Sequence, residues 1–348
     1  MFTNRVVLPS ATDESAFTLR FKPNSDVFGM ARVVRARRRR RPNWSLHDVT
    51  AAVTESAARD ALVEVFEGDK PVLVHLHGNS MTPALCFERC TRFEELYGVA
   101  VVGFSWPSEG RLATGKRSAA ALAASAKEER RMTLADVTPT NRATVSGIFD
   151  VMERYRQSKA NGQRSAGAIA RFLRLVGVAH AAARAAQPFS IAAHSLGAHC
   201  LQMVIEAGLG SDLPEARNIA LLAPCVPNWR HARWVARLPR SGGLVITTNV
   251  SDMVLLGALI SDREGKLGAS YALEGLVDDP DTRYVDSTRR RPWQHEYFIA
   301  ERGEKLAKDL RDVFQRFFSS GDDIPPRTNP CDVYRGCCDG VPRVCDVS

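Results

Sequence analysis

The stretch Pro188–Cys200, PFSIAAHSLGAHC, constrains the fold of this chain more than any other. Phe189–Ala193 is a short apolar run behind Pro188, the pattern of a strand buried on both faces. Leu196–Ala207, LGAHCLQMVIEA, holds good helix formers with apolar residues on nearly every side, the pattern of a buried helix. Between them stands Ala193-His194-Ser195-Leu196-Gly197, a small-x-Ser-x-small pentapeptide. A serine on so tight a strand-to-helix turn is held in strained backbone. Small residues two before and two after it keep neighbouring backbone from colliding. The helix then aims its amide-rich N-terminus at whatever the serine attacks. The simpler alternative is that Ser195 only N-caps that helix.

The flanking chain supplies more strands of the same kind. Lys70–Leu76 and Val99–Phe104 are solidly apolar, with a helix expected over Pro83–Tyr97 between them. Such a rhythm predicts an α/β fold whose mostly parallel central sheet is covered by helices on both faces. Asn218–Ala223, Gly243–Thr248 and Thr282–Val285 continue the strands, with helices expected at Trp229–Leu238 and Glu301–Phe318. Glu109–Arg164 exceeds an ordinary connection and reads as a helical insertion, either a lid or a surface decoration. It carries the Ala-rich Ser118–Ala126, the charged Lys127–Arg131 and a helix over about 140–157. A separate long helix is expected over Ser165–Ala186, with Ile169, Phe172, Leu173 and Val176 on one face. Residues 51–320 thus form the main domain. Residues 1–50 precede it with an antiparallel hairpin of Ala16–Lys22 and Val27–Val34, and 321–348 form a Cys-containing tail.

Serine needs a base to remove its proton, and the base needs a third group to fix its tautomer. Ser195, Asp252 and His295 follow three different strands in the order serine, acid, histidine, each at a carboxyl end where open α/β sheets place ligands. Asp286 and Asp262 are the rival acids, and His194, His199 and His180 the rival bases. The strand Lys70–Leu76 ends in His77-Gly78-Asn79, a turn able to present a backbone donor. The N–H groups of Asn79 and Leu196 are the expected oxyanion hole. His75 and His77 share a strand face, but no companion at metal-ligand spacing follows, so packed histidines are expected and no metal. Trp106 lines a pocket or caps the core.

HGNS after one strand, FSWPS after the next, AHSLGAH, LLAP and the late Asp and His together resemble an α/β-hydrolase over roughly residues 70–318. They are most similar to a bacterial branch of unassigned activity with an AHSLG or AHSMG elbow. That resemblance implies esterase-like hydrolysis with Ser195, Asp252 and His295 in the triad positions, and supplies no substrate. The acyl-transfer chemistry of those three residues leads to the expectation of a small-molecule acyl substrate and no cofactor. A lipase or thioesterase is the nearest variant. A non-catalytic binding protein on the same scaffold is the alternative class.

Charge and cysteine usage bear on partners. Most of the formal +8 charge sits in residues 1–45, with ten Lys or Arg against three Asp or Glu. Arg35 and Arg37–Arg41 lack the aromatic and glycine interleaving of a nucleic-acid binder, so they read as a solvated basic loop and nucleic acid is not expected. No apolar run approaches the ~18 residues of a membrane span, and no basic-then-apolar leader opens the chain, which predicts a cytoplasmic protein. Cys86, Cys90, Cys200 and Cys225 read as buried thiols. Cys331, Cys337, Cys338 and Cys345 lack zinc-knuckle spacing and read as a reduced tail or a disulfide knot.

Overall fold

The computed structural model describes residues 1–23, 27–35, 44–109, 142–184, 186–270, 275–289, 293–299, 305–320 and 332–334. Arg37–Arg41, Ser118–Ala126, Lys127–Arg131 and the four C-terminal cysteines lie outside the described residues. The chain begins with β1 (Phe2–Thr3), β2 (Arg5–Val7), β3 (Phe17–Phe21), β4 (Phe28–Arg35), β5 (Trp44–Val53) and α1 (Glu55–Phe66). It continues through β6 (Val72–Leu76), α2 (Pro83–Tyr97), β7 (Ala100–Ser105), α3 (Arg142–Ala182), β8 (Phe189–His194) and α4 (Leu196–Glu206). Then follow β9 (Asn218–Leu222), α5 (Ala232–Val235), β10 (Leu244–Thr248), α6 (Met253–Asp262), β11 (Thr282–Asp286), α7 (Lys308–Gln315) and β12 (Asp332–Tyr334).

The architecture is α/β. Among the described residues a ten-stranded sheet runs in the order β12-β11-β10-β9-β8-β6-β7-β1-β4-β5. From β11 to β1 every pairing is parallel, and only β12, β4 and β5 join antiparallel. Strands β6, β8, β9 and β10 are buried at every residue, because helices cover both faces of a parallel sheet. The chain leaves β6 through α2 to pair with β7 on one side, then returns through α3 to place β8 on the other. The connections diverge there, and open α/β sheets place their ligand crevice beyond the carboxyl ends of such strands, here β6 and β8.

Several elements differ from the sequence reading. The Phe17–Phe21 strand pairs with β2 in a small separate sheet, whereas β4 pairs with β5 and β1. The expected hairpin is therefore replaced by two others, and β5 forms over Trp44–Val53, for which no strand was expected. The helices expected over 140–157 and 165–186 are one, the 41-residue α3, about 60 Å long at 1.5 Å per residue. Ile169, Phe172, Leu173 and Val176 are buried on it as expected. The helix at 229–238 shrinks to α5, and that at 301–318 to α7 with a wider final turn over Arg316–Ser320. Cys86, Cys90, Cys200 and Cys225 are buried free thiols. Among the described residues no helix is long and apolar enough to cross a membrane.

The N-terminal strands are fastened to the end of β7 by a buried ion pair. The Arg5 side chain is 0% exposed and Glu109 6%, with Nη2 2.8 Å from the carboxylate. Arg5 also donates to the Trp106 carbonyl at 2.6 Å, to Ser105 Oγ at 3.2 Å and to the Thr18 carbonyl at 3.2 Å. Burial pushes the Glu109 carboxyl up, against the pull of the guanidinium. Removing one partner of such a pair strands the other in a dry site. Arg5→Ala is expected to cost about 3–5 kcal/mol, and the double change Arg5→Met, Glu109→Leu to restore most of it. Urea unfolding of the variants measures both values; an Arg5→Ala loss below about 1 kcal/mol would show the pair to be dispensable.

Candidate active site

The crevice is built around Ser195, the residue between β8 and α4. Its backbone is left-handed, φ 53° and ψ −118°, and its side chain makes no capping bond to the helix it heads. Simple N-capping is thereby set aside. A non-glycine residue held at positive φ is costly and persists only where its surroundings impose it. Here they do. A Cβ on Gly197 would lie 2.3 Å from the Leu76 carbonyl oxygen, and one on Gly78 2.8 Å from the Ser195 Cβ. Both glycines let backbone close in where any side chain would collide. The Ser195 N–H bonds the Leu222 carbonyl at 2.9 Å, and the Ser195 carbonyl accepts from Ala198 and Cys225, each at 3.1 Å.

Asp252 sits after β10 as the N-cap of α6, and its two oxygens do different work. Oδ1 accepts from the Val254 N–H at 2.9 Å and the Leu255 N–H at 3.0 Å, while Oδ2 accepts from His295 Nδ1 at 2.7 Å. The carboxylate is buried and the imidazole 13% exposed. Donation from Nδ1 leaves Nε2 with the lone pair a general base needs. The rival acids are committed elsewhere. Asp286 accepts from Thr288, while Asp262 binds Lys159, Lys266 and Tyr155. Among the rival bases, His180 packs with Phe66 and Phe189 at the opposite end of β8.

His295 is steered by residues that sequence reasoning did not single out. Arg89 of α2 pairs with Glu296, Tyr97 donates its hydroxyl to the Phe298 carbonyl at 2.5 Å, and Asn249 Nδ2 donates to the Gln294 carbonyl at 2.8 Å. Tyr297 adds a bond from its hydroxyl to Thr247 Oγ1 at 2.5 Å. The His295 ring lies over that of His194, centroids 4.8 Å apart, which puts it beside the residue preceding Ser195. Among the described residues no hydrogen bond joins the Ser195 hydroxyl to His295. Such bonds are often long until substrate draws the groups together.

The turn after β6 is fixed by His77, as the packed-histidine reading expected. His77 Nδ1 donates to the Gly78 carbonyl at 3.0 Å, and Nε2 accepts from the Trp106 N–H at 3.1 Å. The two rings stack, 5.3 Å apart and 4° from parallel, and the indole donates to the His77 carbonyl at 2.9 Å. Trp106 is fully buried, so it caps the core rather than lining a pocket. Ser80 and Met81 complete the turn by donating to Ser108. The Gly78–Ser195 contact thus lays the turn that carries Asn79 against the elbow. The Leu196 N–H opens α4, where amides of the first turn lack helical acceptors. A scan against models of protein families finds no match, and no curated protein matches the chain.

Three histidines beside the crevice are held neutral. Burial drives His77 and His194 well below the ordinary imidazole value, and His199 down to about 4. In the unfolded chain each takes a proton below about pH 6.5, so there the unfolded state binds more protons and stability falls with pH. Each residue contributes up to about 1.4 kcal/mol per pH unit until its native pKa is reached. Urea midpoints are expected to drop between about pH 7.5 and pH 5.5, windows set by that ordinary imidazole value, with a shallower drop in His199→Gln. Equal midpoints at the two values would contradict the assignment.

Proposed function

We propose that this chain is a serine hydrolase of α/β-hydrolase type, cleaving carboxylic esters of small acyl substrates through an acyl-enzyme. The observation that supports this most is the Asp252–His295 hydrogen bond. It joins residues 43 apart in sequence at the crevice where an uncapped serine is held at positive φ. In this reading Ser195 Oγ attacks the substrate carbonyl while His295 Nε2 takes its proton. Asp252 holds the ring by Nδ1 and stabilises the imidazolium that forms. The developing oxyanion is received by the N–H groups of Asn79 and Leu196. One such donor is typically worth about 10²–10³ in turnover. The imidazolium then protonates the departing alkoxide, and water activated by the same ring releases the acid.

The reading requires no cofactor. It also explains why Asp252 is both a helix cap and a histidine partner: the cap bonds fix one carboxylate oxygen so that the other stays aimed at the ring. Hydrolysis of p-nitrophenyl esters from acetate to palmitate tests the proposal and places the acyl preference. Ser195→Ala and His295→Ala are each expected to lower kcat by at least about 10⁴, and Asp252→Asn by a similar factor through loss of the correct tautomer. An esterase activity that survives Ser195→Ala undiminished would refute it.

A further inference from the structure

Among the described residues, Trp229, Val250, Leu256, Ile260 and Trp293 are exposed apolar side chains on α6 or at its ends. Trp293 is 63% exposed, Val250 62% and Trp229 51%. Leu256 and Ile260, four residues apart, share one face of the helix. Val250 precedes the Asp252 cap, and the Asn249 bond to the Gln294 carbonyl holds the neighbour of Trp293 at that same end. At the other end the Trp229 indole donates to Glu264. A helix of 10 residues is only about 15 Å long, so the two tryptophans flank its ends within a short span. Trp293 has φ 67°, a conformation rare for a bulky side chain, and its ring stands in solvent rather than in the core.

The rim is cationic. Arg230 stacks on the Trp229 ring at 4.7 Å, and Arg263 is exposed at the C-terminal end of the same helix. The nearby acids are engaged: Asp252 with its cap and His295, Asp262 with two lysines, Glu264 with Trp229. An apolar helix bordered by tryptophan and arginine matches an anionic lipid–water interface, where indoles sit at headgroup level and guanidinium groups meet phosphate. A second copy docking face to face would bring these arginines against their own equivalents.

We propose that this face docks the protein onto an anionic phospholipid surface, with α6 against the boundary between headgroups and acyl chains. The proposal is independent of the chemistry assigned to Ser195. It is tested with the full chain and vesicles of phosphatidylcholine, with and without phosphatidylglycerol. The protein is expected to sediment with the anionic vesicles, to show a blue shift of tryptophan emission, and to release in about 0.5 M salt as screening shortens. Leu256→Glu with Ile260→Glu, and separately Arg230→Glu with Arg263→Glu, are each expected to weaken binding about tenfold or more. All four residues are exposed, and far-UV circular dichroism checks that both variants fold. Failure to sediment overturns the proposal. So does binding unchanged by either pair of substitutions, which would assign it to Arg37–Arg41. A dimer dissolved by Leu256→Glu with Ile260→Glu also overturns it, in favour of a second copy.

Discussion

The first turn of α4 lies so close to the carbonyl end of β6 that position 197 has no room for a side chain. The Leu76 carbonyl occupies that space, and the rest of the crevice follows from the contact. Forcing the helix start against the strand end leaves Ser195 no ordinary backbone conformation, and its side chain turns away from the cap position. Bonds from Ser195 to the ends of β9 and its following loop hold the strained residue from the other side. The connections diverge at β6 and β8, and the His77–Trp106 stack fixes the facing turn.

A second constraint sits at α6. The helix begins with Asp252 and ends with Asp262, and both carboxylates are fixed. Asp262 accepts from Tyr155 and Lys159 of α3 and from the fully buried Lys266. Tyr155 also touches Cys225, whose N–H bonds Ser195, so the anchoring of α6 and of the elbow share one side-chain chain of contact. Isolated exposed ion pairs contribute little to stability. This one is shielded and has three donors on a single carboxylate, so its effect is to set where a helix lies.

What was legible in the sequence was what local pattern encodes. Strands buried on both faces write themselves as apolar runs, and β6 through β10 were read that way. The elbow carried its own sterics in the spacing of Ala193, Ser195 and Gly197. Position along the chain singled out Asp252 and His295, which the structure hydrogen-bonds together. Features set by distant partners were hidden. Strand β1 is two residues long and exists because β7 and β4 flank it. The gap left between the helices expected over 140–157 and 165–186 is continuous helix, and Gly162 within it answers to packing: a Cβ there would lie 2.9 Å from Cys200 Sγ. Asn161 and Ser158 beside it look like loop residues but donate to Pro107 and Ser108 at the end of β7. Arg89, Tyr97 and Asn249, which steer the His295 loop, carry no periodic signal because each acts across long sequence separation.

The central claim is that Ser195, alone among the chain's serines, is an activated nucleophile. A fluorophosphonate traps such a hydroxyl as a stable phosphonyl ester, and peptide mass spectrometry assigns the site. The account predicts one adduct, on the peptide containing Ser195, formed in the folded protein and absent after denaturation or in His295→Ala. No adduct on the folded wild-type chain, or an adduct on another residue that persists in Ser195→Ala, would contradict it.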